Sequence, residues 1–219
     1  MASPPENIIP ALRYHWLTRF YDPLLRWTLR EKEFRGKLLR QARVAAGDRV
    51  LDVGCGTGSF AVLLKQAHPE AHVIGLDADA RVLAIARAKA AQAGVDVAFQ
   101  QGLADALPFA GESFDRVVST LVLHHLARHA KLGSLREILR VLRPGGEFHL
   151  ADWGQPANPL MWVLFQLVRG FDSWATTRDH QNGLLPEFIR DAGFQGVRET
   201  GYYNTVLGTL RLYAARKPA

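Results

Sequence analysis

One short stretch constrains the whole chain: Arg49-Val-Leu-Asp-Val-Gly-Cys-Gly-Thr-Gly-Ser59. Residues 49–53 read as a short buried strand carrying Val50, Leu51 and Val53, and Gly54, Gly56 and Gly58 interrupt any regular element directly after it. From Ser59 the run Phe60, Ala61, Val62, Leu63 and Leu64 suits a packed helix. A strand, a glycine turn and a helix in this order form the first unit of a nucleotide-binding α/β fold. The glycines allow positive φ in the turn and let a ligand approach the backbone where a Cβ would clash. The N–H groups that open the following helix favour a negatively charged ligand group.

The alternation continues along the chain. A second strand at residues 72–76 runs into Asp77, and an alanine-rich helix at 80–93 stops at Gly94. Strands follow at 97–100 and 114–120, then a helix at 134–142 ended by Pro144, and a fifth strand at 147–152. The last unit is a helix at 185–192 and two strands, 195–202 and 209–216, joined by 203–208. Ahead of the first strand lie an aromatic helix at 11–27, broken at Asp22-Pro23, and an amphipathic helix at 24–43. Strands alternating with helices imply an α/β chain with a mainly parallel sheet. We expect one domain over residues 1–219: a helical cap at 1–45, a core at 46–152, a helical lid at 153–184, and a helix and hairpin at 185–219.

Three further features narrow the family. Asp52 stands in the first strand, where a dinucleotide fold wants an apolar residue. Asp77 follows the turn by about 20 residues, the ribose-binding spacing. Arg143-Pro-Gly-Gly146 makes a turn into another strand. Asp52-Val-Gly-Cys-Gly-Thr-Gly58 and Leu142-Arg-Pro-Gly-Gly146 resemble the first motif and the turn before the fifth strand of class I S-adenosylmethionine (SAM)-dependent methyltransferases. The resemblance covers residues 38–152, and the stretch 109–125 is similar to the ubiquinone/menaquinone-biosynthesis group. It implies a Rossmann-like, seven-stranded, mostly parallel sheet with helices on both faces and an antiparallel C-terminal hairpin. It also implies S-adenosyl-L-methionine as cofactor, S-adenosyl-L-homocysteine as product, and an N-terminal segment that closes over the cofactor and brings Tyr21 to its methionine end, with packing of Tyr21 between helices as the alternative.

Ligands of open α/β sheets bind outside the carboxyl ends of the strands. That rule selects Gly54, Cys55, Gly56 and Gly58 after the first strand, and Asp77 with Ala78 after the second. It adds Gly102 and Leu103 after the third, Thr120 with His124 and His125 after the fourth, and Asp152 after the fifth. Asp77 suits both ribose hydroxyls, Asp52 orients the glycine loop or meets the cofactor's ammonium, and backbone at Gly54 and Thr120 reaches the methionine moiety. Where the resembling family commonly carries an aspartate for the adenine amino group, this chain has Leu103, which offers backbone and apolar contact; the position of Asp105 argues against it as a substitute. A neutral imidazole is a suitable base near pH 7, and a carboxylate beside it fixes its tautomer. His124 or His125 with Asp152 therefore forms the catalytic candidate, against the alternative that the pair only shapes the pocket. His15, His68, His129, His149 and His180 are expected to be structural or exposed.

Composition excludes other classes. Cys55 is the one cysteine, so no intrachain disulfide forms, a reducing cytoplasm is the expected location, and Cys55 reads as a small residue that fits the turn. The first residues lack the charged and apolar pattern of a signal peptide, the apolar stretch 160–168 is too short to span a bilayer, and no zinc spacing appears. Between positions 11 and 44 stand nine basic and three acidic residues, an excess equal to the whole net charge of +6. We read it as a solvated helix face, with peripheral contact to an anionic membrane as the alternative and no nucleic acid partner. The Trp-bearing stretch 160–174, read as a lid or alternatively as core packing, suggests a small, hydrophobic or aromatic, or lipid-like acceptor, methylated on carbon, oxygen or nitrogen. Rival readings are a phospholipid-headgroup N-methyltransferase, a protein that binds SAM without turnover, and a nicotinamide-dependent oxidoreductase. The oxidoreductase predicts Gly-x-Gly-x-x-Gly, whereas this chain has Gly54-x-Gly56-x-Gly58. Oligomeric state leaves no trace in the sequence.

Overall fold

The structure, a computed structural model, describes residues 30–171 and 174–219. The aromatic segment with Tyr21 lies outside the described residues, as do Arg13, Arg19, Arg26 and Asp22; the larger part of the basic excess, from Arg30 to Arg43, is described. Helix α1 (Glu31–Ala42) leads to β1 (Arg49–Val53), α2 (Ser59–Ala67), β2 (His72–Asp77), α3 (Ala80–Gln92), β3 (Ala98–Gln101) and β4 (Phe114–Thr120). A single 3-10 turn, Leu123–His125, precedes α4 (Arg128–Val141) and β5 (Leu142–Trp153). Then come α5 (Pro159–Phe171), α6 (Trp174–Gln181), α7 (Leu185–Asp191), β6 (Gln195–Thr205) and β7 (Gly208–Arg216).

The seven strands form one sheet in the order β3-β2-β1-β4-β5-β7-β6. The first five are mutually parallel, and β7 runs antiparallel between β5 and β6. Strand order reverses at β1 and β4, so the crevice lies at their carboxyl ends.

Alternation along the strands feeds two cores. Val50, Val118 and Ala151 pack on one face with Phe34 and Leu38 of α1, Phe60 and Leu64 of α2 and Phe165 of α5. Leu51, Val117 and Leu150 pack on the other with Leu135 and Ile138 of α4 and Phe188 and Ile189 of α7. Fully burying a side chain such as Leu38 contributes about 2 kcal/mol. Asp79 caps α3, its carboxylate accepting the Arg81 N–H at 2.8 Å, the usual way to satisfy an orphan donor of a first turn.

Several boundaries differ from the sequence reading. Helix α4 starts at Arg128, not at residue 134, and runs through Gly133, where a Cβ would stand 3.2 Å from the Cβ of Asp105. Strand β5 begins at Leu142, ahead of the glycine turn, and pairing jumps from Phe114↔Leu142 to Arg116↔Glu147. The Arg143–Gly146 segment is thus accommodated as an irregularity within the strand. The final hairpin closes through two residues, Val206 and Leu207, instead of six. There the Thr205 hydroxyl donates to Gly208 O at 2.9 Å and accepts the Leu207 N–H at 3.1 Å, doing locally what a glycine pair usually does.

Candidate active site

The loop after β1 hangs from β2: the amides of Gly54 and Cys55 both donate to Leu76 O, at 2.8 and 2.9 Å. Gly54, Gly56 and Gly58 all have positive φ. Around Gly54 there is no room, since an added Cβ would lie 2.3 Å from Cγ2 of Val122. Around Gly56 there is open space, with nothing within 4 Å of an added Cβ. Lys89 of α3 braces the loop from behind, donating to Thr57 Oγ1 at 2.9 Å and Ser59 Oγ at 2.6 Å. Cys55 is buried, and burial raises its thiol pKa, which disfavours the thiolate that a nucleophile would need.

Two carboxylates flank this loop. Asp77 ends β2 and accepts the Gly56 N–H at 2.9 Å and the Asp79 N–H at 3.0 Å, while burial pushes its pKa up. It therefore tethers the loop, and the remaining lone pairs of its oxygens are left for a ligand. Asp52 is fully buried, and neither carboxylate oxygen has a hydrogen-bond partner among the described residues. Burial pushes its pKa up to about 7, with Arg35 drawing it down and Asp77 adding repulsion. On the far side, the Gly102 N–H donates to Asp77 O at 3.0 Å. The Ala78 carbonyl accepts from Gln101 Nε2 at 3.0 Å, and Leu103 is 41% exposed. Asp105 is exposed against the helix at Gly133.

At the end of β4 the chain turns sharply after Thr120. Leu121 has φ 58°, an uncommon backbone for a branched side chain, held by its N–H donating to Ala151 O at 2.8 Å. The turn places His124 against Asp152, both buried, with Nδ1 2.6 Å from Oδ1. Asp152 Oδ1 also accepts the Trp153 N–H at 2.7 Å, and Oδ2 accepts the Leu123 N–H at 2.8 Å. Burial alone would raise the Asp152 pKa, but the adjacent His124 holds it well below the usual carboxylate range. A carboxylate opposite Nδ1 makes that nitrogen the protonated one. The His125 ring lies 3.9 Å from that of His124, centroid to centroid.

The sequence reading missed the floor of this cluster. His180 of α6 is fully buried, not peripheral: its Nδ1 lies 2.8 Å from Trp153 O, and its ring 6.1 Å from that of His124. Lys131 of α4, also fully buried, donates to Thr176 O and to Asp179 Oδ2 at 3.3 Å. One signal for Lys131 existed in the sequence. It stands in helical phase with the buried Leu135 and Ile138, so a charged residue occupies a place on the apolar stripe where an apolar one was due. His149 is likewise buried, 3.1 Å from Gln41 Nε2, but it sits with the α1 contacts. No group of His, Cys, Asp and Glu suited to a metal occurs among the described residues, and no described helix is long and apolar enough to cross a membrane.

Residues 50–146 match the family model described as a methyltransferase domain. The uncharacterised methyltransferase sll0829 of Synechocystis sp. is 33% identical over 186 residues, covering 85% of this chain and 84% of that protein. The demethylmenaquinone methyltransferase of Thermus thermophilus is 34% identical over 159 residues, covering 72% of this chain and 68% of its own. This chain belongs to the class I SAM-dependent methyltransferases. Within them it falls with the ubiquinone/menaquinone-biosynthesis group. The fold agrees: the SAM-dependent methyltransferase SibL, solved in its apo form, matches with a TM-score of 0.72 at 24% identity, over 91% of this chain and 58% of SibL.

The residues of the methyltransferase fit its cofactor. The orphaned, fully buried oxygens of Asp52 suit a cationic ammonium, which would supply the partner that burial otherwise denies them. The open space at Gly56 lies where a Cβ would fill the cradle. Asp77, with lone pairs left over, and the exposed apolar Leu103 have the chemistry to suit a ribose and an aromatic base.

Proposed function

We propose that the methyltransferase acts on a small aromatic acceptor of the quinol type, with His124 as the base that removes a hydroxyl proton and Asp152 as its orienting partner. The observation that carries this reading is the 2.6 Å contact between His124 Nδ1 and Asp152 Oδ1. Asp152 keeps the proton on Nδ1, so Nε2 is the basic atom, and its charge stabilises the imidazolium that forms. Bound SAM supplies an electrophilic methyl group on a sulfonium, leaving S-adenosylhomocysteine.

The acceptor class follows from chemistry and surroundings. A quinone ring is an electrophile, so a quinone-type acceptor must arrive reduced, as the dihydroxy form. Removing one hydroxyl proton then spreads negative charge over the oxygen and the adjacent ring carbon, either of which is nucleophilic. A demethylmenaquinone methyltransferase stands among the relatives. Apolar walls are at hand: the Phe165 ring of α5 lies 6.0 Å from that of Trp153. The same helix exposes Leu160, Trp162 and Val163 at 62, 50 and 57%, which supports the lid reading of residues 153–184. In this reading Asp52 meets the ammonium of SAM, Asp77 the ribose hydroxyls, and Ala78, Gly102 and Leu103 the adenine. Gly54, Cys55, Gly56, Gly58 and Thr120 line the methionine end.

The test is transfer of a labelled methyl group from SAM to a 1,4-naphthoquinol with a short prenyl chain, kept reduced by dithionite. Labelled quinol that fails to form with the oxidised quinone, and forms at a rate at least a hundredfold lower with His124→Gln, supports the reading. Absence of any labelled product with the reduced probe overturns it.

A further inference from the structure

Two imidazoles lie in the field of one carboxylate in this site. Asp152 bonds directly to His124, yet His180 sits under the same pair, its ring nearly perpendicular to that of His124 at 86° and 6.1 Å away. Because the Nδ1 of His180 faces the Trp153 carbonyl at 2.8 Å, Nδ1 carries its hydrogen and Nε2 is the lone-pair atom. That Nε2 is buried and has no hydrogen-bond partner among the described residues. A proton placed there would answer the Asp152 charge from below and lower the tendency of His124 to take one.

Lys131 stands against that outcome. Its ammonium is fully buried, at a desolvation cost that an apolar side chain would avoid. It joins the first turn of α4 to α6 through Thr176 O and Asp179, the helix that carries His180 one residue further on. We propose that Lys131 is a positioning residue acting through His180: it seats α6 on the catalytic turn and keeps His180 uncharged, so that Asp152 serves His124 alone. The proposal rests on the reading of His124 as base.

The surrounding charges support it. Burial pushes His180 down to about 4, Asp152 pulls it up, and Lys131 and His124 push it down again. Burial also lowers Lys131, while Asp179 and Asp152 sustain its charge and Arg128 opposes it. Asp152 thus faces His124 from the turn, His180 from α6 and Lys131 from α4. A lysine paired with Asp179, rather than with Asp152, adds positive potential without occupying the carboxylate.

The experiment follows His180 in the whole protein by NMR of labelled imidazoles, assigned with His180→Asn, in wild type, Lys131→Gln and Lys131→Arg. Glutamine keeps an N–H for Thr176 O and drops the charge; arginine keeps the charge. The proposal expects His180 to stay neutral to pH 5 in wild type and Lys131→Arg, and to titrate at least about one pH unit higher in Lys131→Gln. With the naphthoquinol probe, kcat at pH 5 relative to pH 8 should fall about twofold further in Lys131→Gln than in wild type, because a His180 that titrates one pH unit higher is about half protonated at pH 5. The Lys131→Gln/His180→Asn double variant should lose that dependence. An unchanged His180 titration in Lys131→Gln overturns the proposal, as does a His180 already protonated at pH 6 in wild type, a result that needs no variant to fold. Undiminished turnover in His124→Gln would instead remove the base reading, and the titration of His180 would still decide what Lys131 does.

Discussion

Gly54 and Val122 touch so closely that a Cβ on the glycine would stand 2.3 Å from Cγ2 of the valine. The cofactor loop and the turn that carries His124 are therefore packed as one body. Gly54→Ala would have to adopt positive φ and also displace Val122, and backbone strain of this kind costs about 1–3 kcal/mol before any clash. We expect a Tm several degrees lower, weaker SAM binding by calorimetry, and a loss of turnover beyond what the lost affinity explains.

Gly56 gives the contrasting case. Its surroundings are open, so Gly56→Ala carries the cost of a left-handed alanine, about 1–2 kcal/mol, without a steric clash inside the protein. The added methyl group points into the space assigned to the cofactor. Thermal unfolding of the apo protein should shift less than in Gly54→Ala, while SAM affinity drops at least tenfold. Equal losses of stability in the two variants, with SAM affinity intact in Gly56→Ala, would place the cofactor elsewhere.

In the proposed reading Asp52 links pH to cofactor binding. Its carboxyl has a pKa of about 7 in the folded protein and about 3.9 in an unfolded chain. The folded state thus holds the proton more tightly, and stability from this group falls as pH rises from about 4 to about 7. Binding runs the other way, since only the ionised carboxylate attracts the ammonium. SAM affinity of the wild type should rise between pH 5.5 and 7.5, and that of Asp52→Asn should stay flat. A parallel pH dependence in both proteins would detach Asp52 from the cofactor.

The contrast between what the sequence revealed and what it hid has a physical pattern. The β1–glycine–α2 unit, Asp77 and Asp152 were readable because strand ends and glycine turns are local, and the sheet rule converts them directly into a crevice. Lys131, Asp179 and His180 were not. They meet across 48 residues, from Lys131 to Asp179, on two helices where charged residues ordinarily face water. Only tertiary packing buries them, and only the phase of Lys131 with Leu135 and Ile138 hinted at it. The hairpin boundary failed for another reason: the Thr205 side chain makes the turn, and threonine within a strand-like run carries no turn signal.

His124 and Asp152 should separate catalysis from stability. His124→Gln removes the base while the Asp152 carboxylate keeps its Leu123 and Trp153 amides. We expect kcat lower by about 10²–10⁴-fold with SAM affinity within about twofold of wild type. Asp152→Asn loses the charge that orients the imidazole and leaves one buried N–H facing another donor, a fault that costs about 1–3 kcal/mol. It should therefore show the same loss of kcat together with a lower Tm. Because His124 holds the Asp152 pKa below its ordinary value, the stabilisation is fully present above about pH 4 and disappears as pH falls through the folded pKa. The Tm difference between wild type and Asp152→Asn should thus not shrink from pH 7 to pH 5 and should shrink below about pH 4. A gap that closes between pH 7 and pH 5 would mean that Asp152 is protonated near neutrality, and His124 would then have no anion to orient it.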